Sequence, residues 1–164
     1  MKVGRLNNGE GSFEIKRAAP DLADTLTKIA FAAKRQWGYP EHWIEIWSPL
    51  LTVSAEFIER HDTFVAYQAG RPVGFYAVSL EKKVARLEHL WVLPDSLGKG
   101  IGRQLFLHAL TRCKEVGART LEIESDPHAQ GFYEKMGACR IGEVRTAVGG
   151  EARSLPLLEI AITG

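Results

Sequence analysis

The apolar and polar positions change period several times along the chain, and each change marks an element. Phe13-Glu14-Ile15-Lys16 alternates and predicts a first strand. Pro20-Asp21 opens a helix in which Leu22, Leu26, Ile29, Ala33 and Trp37 recur every three or four residues, and Gly38 ends it. A second helix follows Pro40 and runs from Glu41 to Trp47. Pro49 stops or kinks that helix, and Ser54 opens one more short helix ending near Arg60. On this pattern Trp43, Ile46, Trp47 and Leu50 make a buried stripe.

The period then drops to two. Thr63 to Gln68, Val73 to Leu80 and Ala85 to Leu93 read as strands, with turns at Ala69-Gly70-Arg71-Pro72 and at Lys82-Lys83. Links this short admit only an antiparallel meander. Ile101 to Val116 is a long helix with Ile101, Leu105, Ala109, Cys113 and Val116 on one side and Gly117 as its cap. Leu121 to Glu124 is the next strand. Asp126 and Pro127 supply the N-cap and first turn of a last helix, which Gly137 ends. Ala129, Phe132 and Met136 form its packed face, with Tyr133 at the edge. Cys139 to Arg145 and Leu155 to Ile162 close the chain as two strands joined by a glycine-containing loop. The order β-α-α-β-β-β-α-β-α-β-β describes one α/β domain over residues 12–164. Its sheet is mixed but mostly antiparallel, with helices on both faces. Residues 1–11, rich in Gly and Asn, form a flexible lead-in.

At 164 residues, one domain accounts for the whole length. Lys and Arg number 21 against 20 for Asp and Glu, so the basic excess of a nucleic-acid binder is missing. No apolar run approaches the ~20 residues of a membrane span, and residues 1–20 carry no signal-like stretch. A cytoplasmic chain with neither nucleic-acid nor membrane partner is expected. Cys113 and Cys139 have no metal-ligand spacing and read as two buried thiols. The histidines at 42, 61, 89, 108 and 128 are scattered, so no metal is expected, and His89 reads as a satisfied structural histidine.

The candidate chemistry lies in Leu90-Trp91-Val92-Leu93-Pro94-Asp95-Ser96-Leu97-Gly98-Lys99-Gly100-Ile101-Gly102-Arg103. A strand enters a tight loop and passes directly into a helix. Glycines at 98, 100 and 102 remove Cβ atoms where a ligand would meet backbone N–H groups. The helix N-terminus favours an anion, and Lys99 and Arg103 add positive charge. This is the chemistry of a pyrophosphate cradle. It is neither a P-loop, which needs GK[ST], nor the GxGxxG fingerprint, because residue 103 is Arg.

Val92 to Arg103 resembles motif A of the GNAT (GCN5-related N-acetyltransferase) superfamily, written Q/R-x-x-G-x-G/A, with Gly100 and Gly102 as its glycines and Leu97 in place of Gln or Arg. Asp126 to Ala138 resembles motif B, N-x-x-A-x-x-F-Y-x-x-x-G-F, with Asp126 for Asn and Ala138 for the final aromatic. The element order over residues 12–162 is similar to that fold as well, so residues 12–164 are identified as an acyl-CoA-dependent N-acetyltransferase domain.

The resemblance implies acetyl transfer from acetyl-CoA to the primary amine of a small molecule or peptide, by direct attack in a ternary complex. It places the coenzyme A pyrophosphate on Gly98, Lys99, Gly100, Ile101, Gly102 and Arg103. The pantetheine arm would run beside Leu90, Trp91 and Val92, in a gap where that strand splays from Leu121 to Ser125, and Asp126 joins the cofactor-binding residues. A backbone N–H near Leu90 to Val92 would stabilise the oxyanion. An alkylamine is protonated at neutral pH, since the Lys reference pKa is about 10.4, so a carboxylate must help remove the proton. Glu88 is the first candidate and Glu122 the second. Tyr133 is the candidate acid for the departing thiolate. Residues 35–60 would cover the acceptor, where Trp37, Tyr39, Trp43 and Trp47 among Glu41, Glu45, Glu56 and Glu59 could hold a cation. Dimers are common in the superfamily, which allows a homodimer. The rival reading is a non-catalytic acyl-CoA-binding regulatory module on the same fold.

Overall fold

The structure is a computed structural model that describes residues 4–7 and 12–163. Strand β1 (Gly4–Asn7) pairs antiparallel with β2 (Ser12–Arg17), Leu6 opposite Phe13. Part of the expected lead-in is therefore a strand, and its other residues, 1–3 and 8–11, lie outside the described residues.

A 3-10 turn, Pro20–Leu22, leads into helix α1 (Ala23–Arg35), which buries Leu26, Ile29, Ala30 and Ala33. Trp37 falls beyond the helix and is exposed. Helix α2 (Glu41–Ile46) is followed by α3 (Ser48–Leu51) and α4 (Ala55–Arg60). Helix α2 stops at Ile46, ahead of Pro49 as expected, and Pro49 then lies in the first turn of α3, where its missing N–H costs nothing. The buried stripe differs from the expected one in phase. Ile44, Trp47 and Leu51 are buried, whereas Ile46 and Leu50 are 47% and 73% exposed. Ser54 caps α4 by accepting from the Phe57 N–H at 3.0 Å. The Thr27 hydroxyl accepts from the Val53 N–H at 2.9 Å, so α1 holds the link between α3 and α4.

Strands β3 (Asp62–Gln68), β4 (Arg71–Glu81) and β5 (Val84–Val92) lie side by side, as the short links required. Ala69 and Gly70 both take positive φ, the two-residue turn that matches strand twist. Helix α5 (Ile101–Glu115) precedes β6 (Thr120–Glu124), and a 3-10 turn, Pro127–Ala129, precedes α6 (Gln130–Lys135). β5 runs parallel to β6, with Val84 opposite Thr120 and Arg86 opposite Glu122. The closing strands, β7 (Cys139–Val148) and β8 (Glu151–Ala161), are longer than expected. Gly149 and Gly150 both take positive φ, so the anticipated loop shrinks to a two-residue turn. Cys113 is buried, but Cys139 is exposed because β7 is the outermost strand.

Among the described residues eight strands run in the order β1-β2-β3-β4-β5-β6-β8-β7. The chain divides into two compact units, residues 1–77 with 89–109 and residues 78–88 with 110–164. The first unit is cored by α1, Phe64, Phe75, Tyr76, Leu105 and Phe106; the second by Leu121, Ile123 and Leu158. Among the described residues no helix is long and apolar enough to cross a membrane.

Candidate active site

In the first unit β5 ends at Val92 and a 3-10 turn, Pro94–Ser96, follows. Gly98 and Gly100 both adopt left-handed backbone, at φ +78° and +80°. An L side chain there costs on the order of 1–2 kcal/mol, so these positions require glycine for conformation alone. The first α5 bond runs from the Gln104 N–H to the Gly100 carbonyl at 3.1 Å, and N–H groups nearer the helix start have no acceptor within the helix. Ile101, Leu105 and Phe106 are buried and fix the helix against its unit, while Lys99 and Arg103 are exposed. Arg71, at the start of β4, pairs with Asp95 ahead of the loop at 3.1 Å. The Arg71 guanidinium, with the Ser96 hydroxyl, holds the Asp95 carboxyl below its ordinary range.

Leu90, Trp91 and Val92 are half-buried. A residue the sequence reading passed over, Gly74, sets their backbone. A Cβ on Gly74 would lie 2.8 Å from the Trp91 carbonyl oxygen and 3.1 Å from Leu105 Cδ1. A glycine inside a strand pattern is a readable sign of such close approach. The Trp91 indole N–H donates to His89 Nδ1 at 2.9 Å. An indole N–H can only donate, so neutral His89 carries its proton on Nε2. His89 is buried against Phe57 and Phe75, as expected of a structural histidine.

In the second unit Glu88 is exposed and accepts from the Ser79 hydroxyl at 2.7 Å. Glu122 is half-buried, 3.7 Å from Arg86. Arg86 and Glu88 are two apart on β5, and Arg86 stands opposite Glu122 in the ladder. Both candidate bases therefore share one face of the β5–β6 pair, with Arg86 between them.

Tyr133 is the buried residue of α6, at 7% exposure, and Ala129, Phe132 and Met136 are only half-buried. This reverses the expected faces. The helix has one and a half turns and follows a 3-10 turn of tighter period, so a 3.6-residue phase carried through from Ala129 fails. Burial pushes the Tyr133 phenol well above its ordinary value, and the nearby Asp126 charge adds to the effect. Asp126 caps the Pro127–Ala129 turn by accepting from the His128 N–H at 2.9 Å. The same carboxylate takes the His128 ring Nδ1 at 2.9 Å and Arg153 at 3.4 Å.

A family model for the acetyltransferase (GNAT) domain matches residues 23–150. The chain belongs to the GNAT family. The peptidyl-lysine N-acetyltransferase YjaB of Escherichia coli is 35% identical over 94 residues, 57% of this chain and 58% of that protein. Its Salmonella typhimurium counterpart is 37% identical over 89 residues, 54% and 56% of the two chains. The chain thus spans little more than half the length of these curated relatives. Among solved structures, a GCN5-related N-acetyltransferase from Rhodopseudomonas palustris superposes with TM-score 0.75 at 21% identity, covering 90% of this chain and 94% of that one. The PaiA N-acetyltransferase of Thermoplasma acidophilum, solved with coenzyme A, superposes with TM-score 0.72 at 22% identity, covering 91% and 98%. The α/β GNAT fold is shared with both.

Within this GNAT chain the motif A residues Gly98 to Arg103 and the strand Leu90 to Val92 fall in one unit, with α2 to α4. Glu88, Glu122, Asp126 and Tyr133 fall in the other. In the region expected to face the acceptor, the Tyr39, Trp43 and Trp47 rings cluster, Tyr39 and Trp47 edge-to-face at 4.9 Å. The chain's own Lys34 ammonium lies 4.3 Å from the Trp47 ring centroid. Glu41 is held by Arg35 at 2.8 Å, which ties α2 to the end of α1. Among the described residues no group of three or more His, Cys, Asp or Glu side chains could hold a metal ion.

Proposed function

We propose that this chain transfers the acetyl group of acetyl-CoA to a primary amine by direct attack in a ternary complex. The observation that carries the reading is the entrance to α5, where left-handed Gly98 and Gly100 flank Lys99 ahead of a 15-residue helix. Gly98, Lys99, Gly100, Ile101, Gly102 and Arg103 would hold the pyrophosphate through backbone N–H groups and two cations. The absence of Cβ atoms at 98 and 100 fits an anion approaching the backbone closely. The backbone of Leu90, Trp91 and Val92 would receive the pantetheine arm as an added strand.

Acetyl-CoA supplies an activated acyl group. The chain's own residues supply position and proton transfer. A backbone N–H among Leu90 to Val92 offers a donor for the charge that develops on the acyl oxygen. Glu88 accepts the amine proton, directly or through water, with Glu122 on the same strand face as its alternative. Tyr133 gives a proton to the departing sulfur; its phenol is protonated at neutral pH, and burial makes it a weaker acid than a free tyrosine. Relatives named for acting on peptidyl lysine make a lysine side chain the first acceptor to test.

Calorimetry with acetyl-CoA on wild type and Gly100→Val tests the cradle. We expect binding by the wild type and at least a tenfold loss in the variant. Equal affinity would reduce the loop to a packing turn. A mass-spectrometric screen of lysine-containing peptides with acetyl-CoA then tests the transfer.

A further inference from the structure

We propose that Ser79 is a positioning residue for Glu88: its hydroxyl, carried on β4, holds one carboxylate oxygen of Glu88 and leaves the other to take the amine proton. The inference rests on the reading of Glu88 as the base of the transfer, but the contact between the two side chains stands on geometry alone.

The Ser79 hydroxyl lies 2.7 Å from Glu88 Oε1. An ionised carboxylate only accepts, so the hydroxyl is the donor, and the distance is that of a charge-assisted bond. The bond crosses between neighbouring strands, from half-buried Ser79 near the end of β4 to exposed Glu88 on β5. An exposed glutamate samples many rotamers, and one donor on a rigid strand selects among them. Among the described residues this is the one hydrogen bond that Glu88 makes, and no cation pairs with it. Its Oε2 therefore keeps its lone pairs for a proton.

Glu122, on the same strand face, is held differently. The Arg86 guanidinium lies 3.7 Å from its Oε2. A lysine amine arrives mostly as an ammonium at neutral pH. The cation beside Glu122 repels that ammonium, whereas the hydroxyl beside Glu88 orients the carboxylate and brings no charge. Ser79 and Arg86 together thus assign the two carboxylates different work. The amine proton passes to Glu88 Oε2, the freed nitrogen lone pair forms the C–N bond, and the C–S bond breaks with its electrons on sulfur.

The experiment uses the full chain with 13Cδ-labelled glutamate, in wild type, Ser79→Ala and Ser79→Thr. Glu88→Gln and Glu122→Gln assign the two resonances. At neutral pH the Glu88 signal should move in Ser79→Ala and return most of the way in Ser79→Thr, which keeps the hydroxyl and suits a strand. The Glu122 signal should stay in place in both. An unmoved Glu88 signal in Ser79→Ala, or an equal movement of Glu122, would overturn the proposal. Thiol release from acetyl-CoA with a lysine-containing peptide supplies the kinetic arm. Ser79→Ala should lower kcat about threefold to tenfold, the range that one net hydrogen bond corresponds to, with KM for both substrates held within about twofold. Ser79→Thr should recover most of that loss. Placed on Glu88→Gln, Ser79→Ala should lower kcat no further. An equal drop in both backgrounds would make Ser79 merely structural. Full activity in Glu88→Gln alone would sink the base reading and the catalytic role of Ser79 with it, and the resonance arm would still decide whether Ser79 holds the carboxylate.

Discussion

Gly74 on β4 lies against Trp91 on β5: a Cβ on Gly74 would stand 2.8 Å from the Trp91 carbonyl oxygen. That oxygen belongs to the backbone stretch proposed to receive pantetheine. Gly74→Ala must push β5 outward or distort β4. We expect a loss of about 1–3 kcal/mol in stability, the usual cost of overpacking. We also expect acetyl-CoA affinity to fall about tenfold, because the displaced stretch is the ligand's docking edge. A melting curve and calorimetry on the variant check both; wild-type values in each would show that β5 has room to spare.

Gly98→Ala isolates conformation from space. Nothing lies within 4 Å of a Cβ built there, yet φ is +78°. The strain of about 1–2 kcal/mol falls on the loop alone. Acetyl-CoA binding should weaken severalfold while the melting temperature drops by only a few degrees. A large fall in melting temperature with unchanged affinity would assign the glycine to folding and not to the ligand.

Glu88→Gln and Glu122→Gln separate the two carboxylates that share a strand face. If Glu88 takes the proton, its replacement lowers kcat/KM on the order of 10²-fold, the low end for general base catalysis. The loss is greatest at low pH, where neutral amine is scarce, and shrinks as pH rises toward the amine's own pKa. Glu122→Gln should cost far less. A reversal of the two pH–rate profiles moves the role to Glu122.

Tyr133→Phe keeps the ring and removes the hydroxyl. A thiol with a pKa near 8.5 is a tolerable leaving group, so kcat should fall toward the low end of the 10²–10⁴-fold range. The cost in stability should stay near 1 kcal/mol, the net worth of one hydrogen bond. Steady-state kinetics beside a melting curve decide it, and undiminished turnover would leave the phenol a core residue.

Local rules carried much of the fold. The meander from Thr63 to Leu93, the long helix after Ile101 and the N-cap at Asp126 are set by period, turn length and side-chain chemistry within a few residues, so the sequence alone determined them. The glycine loop was legible for the same reason, because left-handed backbone leaves a residue-level mark at Gly98 and Gly100. Orientation and pairing were not. Tyr133 faces inward because a 3-10 turn resets the phase of α6, and Ile46 and Leu50 face outward because the buried face is the neighbouring one that carries Ile44, Trp47 and Leu51. The strand-face neighbours Glu88 and Glu122, the approach of Gly74 to Trp91, and the grip of Arg153 on Asp126 join positions 17 to 34 residues apart. Spacing along a chain says nothing about which distant side chains share a face. Only register and packing decide that, and with it which carboxylate is compensated and which phenol is dry.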